Sequence, residues 1–277
     1  MTIAKYSLFV IIILILIFPL YWMISGSFMD TAGIMHMPPL LLPQNPGLKN
    51  YEILIHGAPN TGRDKYFFNW VANSSVLIVM SVILTIAITL PAGYTFSVYK
   101  FKGRNVIFWL FMSAMMISSF ILIVPNFVLI SKLKIPLRLA AILPSSFSPM
   151  FIFLTKNFID RIPRSLFEVA ELEGAGETRK IFMVALPLCG PLIGVMALFQ
   201  GVEIFQDFLW QMLLFHPEAR QTLPVGLILR TRQMLYGVDP IGIKLAAGTI
   251  LFSVMFVIFC FTSKYFTKGL NLQGVKE

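Results

Sequence analysis

Six stretches of this chain carry no charged side chain: residues 6–29, 66–99, 105–131, 139–155, 181–202 and 245–263. About 20 helical residues cross the ~30 Å hydrocarbon layer of a bilayer, and each run is of that order, the fourth being the shortest. They predict spans at about 7–28, 70–97, 106–131, 139–156, 187–206 and 244–263. A segment in lipid must satisfy its own backbone hydrogen bonds, so the pattern predicts an all-α membrane protein of six transmembrane helices, one domain over 1–277. The first run is too long for a signal-peptide core, contains Tyr21 and Trp22 and lacks an A-x-A site, so it is expected to remain as a span.

One polar interruption still has helical character. In IPRSLFEVAELEGAGETRKIFMVALPLCGP, residues 162–191, Ser165 and Glu168 have the spacing of a capping box, which predicts a short helix starting near Ser165. Gly174 should stop it, because glycine accepts the left-handed conformation that closes helices. A second helix is expected from about Glu177 to Leu186, with Pro187 marking the next apolar run. The result is a helix-turn-helix over about 160–186.

The outside segments are less regular. The first, ending near Phe68, is rich in proline and reads as irregular. The second, beyond Asp207, predicts a re-entrant or surface helix from Val225 to Leu235.

Composition agrees with a bilayer as solvent: 57% of residues are hydrophobic, 13% are charged and the mean hydropathy is +0.80. The net charge of +9 belongs to Lys and Arg between apolar runs, where they anchor helix ends, and implies no nucleic-acid site. Cys189 and Cys260 lie in or beside spans and predict neither a disulfide framework nor a metal site. His36, His56 and His216 are scattered, and no nucleophile-base or metal-ligand spacing points to an enzyme. With both termini in the cytoplasm, twelve basic residues fall inside and ten outside; discounting long loops favours this orientation.

Three polar residues near the fifth span, Gln200, Glu203 and Asp207, are spaced i, i+3, i+7 and predict one polar face. A carboxylate at depth costs about 3 kcal/mol, so such a face either lines a wet pathway or packs on a partner helix, unless Asp207 merely anchors the helix end. Asn73 and Asn126 are weaker candidates for the same lining, with interhelical hydrogen bonds as the alternative.

The polar loop carries a resemblance. Glu168-Val169-Ala170, Gly174-Ala175, Leu186-Pro187 and Pro191 resemble the EAA loop of ABC importer membrane subunits. Val169, Glu173 and Ile181 depart from the usual Ala, Asp and Phe. Further blocks extend the likeness to the carbohydrate uptake subfamily, and to the second membrane subunit of its maltose type: Asn73-Ser74, Gly93-Tyr94-Thr95-Phe96-Ser97, Pro125, the segment from Phe205 to Phe208, Thr222 to Leu227, and the tail Gly274-Val275-Lys276. Phe205 and Gln206 depart from that subfamily's Trp-Asn.

The resemblance implies a permease subunit in a bacterial cytoplasmic (inner) membrane, importing a sugar or oligosaccharide. Its implied partners are a non-identical second permease, an ATPase pair and an extracytoplasmic solute-binding protein, besides membrane lipid. No cofactor is expected on this chain, which has no G-x-x-x-x-G-K-[ST]; ATP and Mg are expected in the partner ATPase. By the same resemblance Glu168 would contact a basic residue of the ATPase, beyond any role as capping partner of Ser165. Ala170 and Ala175 would permit close approach, Gly174 would set the interhelical angle, and Pro187 would open the fifth span. Gly274, Val275 and Lys276 would form a C-terminal ATPase contact. Two other readings remain open from the residues alone. A stand-alone ion-coupled secondary transporter would use Glu203 or Asp207, although no clear internal repeat is visible. An intramembrane enzyme lacks a visible constellation.

Overall fold

The computed structural model describes residues 2–38, 40–57, 66–233 and 240–271, and these are mostly helical, with no strand among them. Three helices are continuous and apolar enough to cross a membrane: Lys5–Ser27, Phe67–Val98 and Ile241–Phe261. Three more candidates are bent pairs, Arg104–Ala114 with Ser119–Leu133 (100°), Leu137–Ser146 with Pro149–Ile159 (54°) and Glu177–Leu188 with Gly190–Gln206 (81°). Counting each bent pair as one span gives the six that the charge-free runs predict.

Prolines explain two of the bends. Ser148 precedes Pro149 and takes an extended conformation (φ −94°, ψ 112°), as residues before proline do, and this parts the two arms of the fourth span. In the fifth span Pro187 and Pro191 are four residues apart, so neither donates the amide that an unbroken helix requires there. The chain answers with a π-helical stretch, Ile181–Ala185, and then a turn at Cys189.

The chain forms two compact units, Met1–Asn73 with Phe215–Phe256 and Ser74–Leu214 with Val257–Glu277. In the first, Asn50 Nδ2 donates to the carbonyls of Ser27 and Met29 at 2.9 Å each. The Trp70 indole donates to the Glu218 carbonyl at 2.7 Å, while the Arg230 guanidinium lies 4.6 Å from the Trp70 ring centre. The proline-rich segment ending near Phe68 is not wholly irregular: Lys49–His56 is helical and buries Ile53 and Leu54. The helix expected from Val225 is Leu223–Gln233, its last two expected residues lying outside the described ones. Val225 and Leu227 are fully buried, so it is not a surface helix.

The second unit is arranged around an i, i+4 row on the second span, in which Ser81, Thr85, Thr89 and Ser97 are buried with Gly93 between the last two. Small residues let helices approach closely in lipid. At Gly93 the approach is extreme: an added Cβ would lie 2.5 Å from Thr155 Cβ and 3.0 Å from the Lys156 amide nitrogen. Below this row Leu90, Tyr94, Ile159, Phe167, Ala185 and Cys189 form a buried apolar cluster that joins the second, fourth and fifth spans to the polar loop.

That loop contains the helix Ser165–Leu172. It begins where the sequence predicts, but not by a capping box. Arg164 holds the N-cap position in helical conformation, with no side-chain cap, and Ser165 already lies inside the helix. Pro163, two residues upstream, supplies an alternative start, its carbonyl accepting from the Leu166 amide at 3.2 Å. The stop is a Schellman motif: the Ala175 amide donates to the Ala170 carbonyl and the Gly174 amide to the Glu171 carbonyl, both at 2.9 Å, with Gly174 at φ +79°. Thus Ala170, Gly174 and Ala175 act together to end one helix before the next begins at Glu177.

Two substitutions test this packing. Gly93→Val drives a side chain into Thr155 and should lower stability by about 1–3 kcal/mol, read as a fall in the thermal midpoint in detergent; an unchanged midpoint contradicts the close approach. At Gly174 nothing lies within 4 Å of an added Cβ, so the penalty is that of the backbone conformation alone, about 1–2 kcal/mol for alanine. Gly174→Ala should therefore accelerate amide exchange in residues 165–172 more than Gly174→Asn, since asparagine tolerates the left-handed region.

Candidate functional site

The polar loop between the fourth and fifth spans gathers nine ionisable side chains of the second unit, from Asp160 to Lys180. Its framework is a hydrogen-bonded chain. Lys180 is buried, with 6% of its side chain exposed, and its ammonium donates to Glu177 Oε1 at 2.6 Å and Glu171 Oε2 at 3.1 Å. The Tyr94 hydroxyl, from the last turns of the second span, donates to Glu177 Oε2 at 3.1 Å. The Glu177 carboxylate first, and burial second, raise the Tyr99 hydroxyl above its ordinary value.

A second chain ties the end of the fourth span to the second. Ser97 Oγ donates to Asp160 Oδ1 and Lys156 Nζ to Oδ2, both at 2.6 Å. Burial works against the charged Asp160, but these bonds and the charges of Lys156 and Arg104 outweigh it and hold the carboxyl below its usual range. Between the two chains lies a cavity of about 150 Å³, lined by Ser97, Asp160, Arg164, Phe167, Glu168 and Lys180, among others.

Within this frame the loop carboxylates divide. Glu171 and Glu177 are taken by Lys180. Glu168 is exposed and, among the described residues, its carboxylate has neither ion pair nor hydrogen bond. The same helix turns apolar side chains outward, with Leu166 45%, Val169 53% and Leu172 89% exposed. Phe167 is the residue that pins the helix inward, its ring 5.7 Å from that of Tyr94 in an edge contact. The helix therefore presents a free carboxylate amid apolar surface, a composition that suits a partner protein.

The other candidates lie apart from this site and from one another. Gln200 is fully buried and donates to Ser81 Oγ at 2.7 Å and Ser145 Oγ at 3.2 Å. Glu203 is on the surface of this chain, and Asp207 follows the helix Gly190–Gln206 in a non-helical conformation (φ −74°, ψ 72°). Asp207 Oδ1 accepts from the Trp210 amide at 3.4 Å. The three residues thus have three environments. Asn73 Nδ2 donates to the carbonyls of Ala219 at 3.2 Å and Gln221 at 3.0 Å, while Asn126 is half-buried on Ser119–Leu133. Pro187 is exposed on the first arm of the fifth span. Gly274, Val275 and Lys276 lie outside the described residues. Tyr94 and Lys180 were not among the predicted site residues; a lone lysine beside glutamates is a common surface pattern, and the Tyr94 contact spans 83 positions of sequence.

Comparison with known proteins fits this arrangement. The family model described as binding-protein-dependent transport system inner membrane component matches residues 86–271. The arabinooligosaccharides transport system permease protein AraQ of Halalkalibacterium halodurans is 31% identical over 97% of this chain and 94% of its own length. The galactooligosaccharides transport system permease protein GanQ of Bacillus subtilis is 28% identical over 98% and 94%, and the maltodextrin transport system permease protein MdxG of the same organism 32% identical over 76% of each. In fold, a chain from the crystal structure of a bacterial ABC transporter involved in the import of the acidic polysaccharide alginate superimposes with a TM-score of 0.82 at 20% identity, covering 96% of both chains. With a family match over two thirds of its length and AraQ alike from end to end, the chain belongs to the binding-protein-dependent transport system inner membrane components, as a multi-pass permease of the ABC importer class.

Proposed function

We propose that this chain forms half of the translocation pathway of an ATP-driven importer for a sugar or oligosaccharide, and that the helix Ser165–Leu172 is its coupling contact with a separate ATPase subunit. The observation that carries the coupling role is the unpaired Glu168 among exposed Leu166, Val169 and Leu172, on a helix held between two spans. A basic side chain of the ATPase meets Glu168, and the apolar residues bury against its surface; a partly desolvated carboxylate–arginine pair is among the stronger polar contacts available. The Schellman stop formed by Ala170, Gly174 and Ala175 gives the partner a blunt helix end, and Pro187 carries the loop into the fifth span. Gly274, Val275 and Lys276 provide a second ATPase contact.

In this arrangement loop 160–186 and both termini are cytoplasmic, and the whole of 1–277 acts as one permease domain. A non-identical second permease completes the pathway, and a solute-binding protein delivers substrate from outside. ATP and Mg bind to the ATPase pair, and this chain performs no bond chemistry. The oligosaccharide relatives support the substrate class. Glu203, exposed on this chain, and Asp207 contribute to the pathway wall; Gln200, Asn73 and Asn126 support it from within their own packing.

Co-expression with its genomic neighbours and purification in detergent, followed by a search for bound ATPase, provide the test. The native chain should retain the ATPase, and Glu168→Lys should lose at least about tenfold of it, the loss of a charge-assisted contact being 1.4 kcal/mol or more. A folded, monodisperse native chain that retains no ATPase overturns the assignment and points to uptake driven by an ion gradient.

A further inference from the structure

Lysine is almost never buried in a protein unless its charge is met by a partner, and one that is paired twice holds those partners in place. Lys180 is such a residue, with 6% of its side chain exposed and both Glu171 and Glu177 in its grasp. The two carboxylates stand on opposite sides of the Gly174 turn. Glu171 is on the helix Ser165–Leu172, and Glu177 opens the first arm of the fifth span. The Schellman bonds close the first helix at Gly174 and Ala175, and Lys180 adds a side-chain tie that crosses this turn to Glu171. The tie continues outward: Glu177 Oε2 accepts from the buried Tyr94, so the second span is joined as well.

We infer that Lys180 is a positioning residue for energy coupling: it locks the two loop helices into one rigid body keyed through Glu177 to Tyr94, so that displacement of Ser165–Leu172 moves the second and fifth spans together. The inference rests on the coupling role given above to the loop. It assigns Glu168 and Lys180 different tasks, the first gripping the partner and the second making the grip count.

A structural role alone would make Lys180 a matter of stability; a positioning role separates ATP turnover from transport. The test uses the assembled transporter, with both permeases, the ATPase pair and the binding protein, in nanodiscs for ATP turnover and in vesicles for uptake of a maltodextrin or arabinooligosaccharide that the native complex takes up. Lys180→Met keeps the apolar stem and removes the charge. It should retain the ATPase and a thermal midpoint close to native, while substrate moved per ATP hydrolysed falls by about fivefold or more, the low end of typical coupling. Lys180→Arg should restore the ratio. Glu171→Gln, at a side chain 71% exposed and therefore safe for folding, should lower it in the same direction. A native ratio in both Lys180→Met and Glu171→Gln overturns the proposal, as does a parallel loss of uptake and ATP turnover that tracks loss of bound ATPase. If the native complex holds no ATPase, or Glu168→Lys leaves retention unchanged, the coupling role itself fails and the inference falls with it.

Discussion

A bilayer offers no hydrogen bond to a peptide group, and this constraint governs where the chain is allowed to be irregular. The first, second and sixth spans obey it by unbroken helix. The other three are interrupted, and the interruptions of the fourth and fifth fall at prolines that have no amide to give. In the fifth span the prolines leave the Met183 and Pro187 carbonyls without their i+4 amides, while the helical ladder continues beside them: the Cys189 amide reaches the Ala185 carbonyl and the Ile193 amide the Cys189 carbonyl, both at 2.9 Å. The L-P-x-x-x-P pattern is thus a bend written in the chain, and it sets the direction in which the polar loop leaves the membrane part.

The loop itself is held by charges satisfied inside the protein. Lys180 consumes two of the nearby carboxylates, Tyr94 donates to one of them, and Asp160 is met by Ser97 and Lys156. What is left over faces outward. The division of labour among glutamates within ten positions is therefore a matter of geometry: Glu171 faces Lys180 across the turn, whereas Glu168, three residues earlier, does not.

Much of this was legible in the residues. The count of spans follows from charge-free length alone, and the loop's helix stop follows from one glycine. The bends were only half legible, since Pro149, Pro187 and Pro191 announce two of them while the 100° break between Ala114 and Ser119 has no proline or glycine beside it. The capping box misled because Pro163 and Arg164 begin the helix one residue sooner, leaving Ser165 inside it. The polar face read from Gln200, Glu203 and Asp207 assumed one continuous helix; the helix ends at Gln206, and Gln200 turns inward to two serines. Contacts such as Tyr94 with Glu177 depend on how spans are packed, which periodicity cannot encode.

The bend in the fifth span has a mechanical meaning. Its first arm, Glu177–Leu188, meets the second at 81°, so a force along the arm pushes across the second rather than along it. Twelve helical residues make a crank of about 18 Å, and each ångström of sideways travel at its loop end turns it by ~3° about the Cys189 elbow. On the coupling role proposed for the loop, small strokes there would become rotation at the foot of the span, with the prolines serving as the bearing.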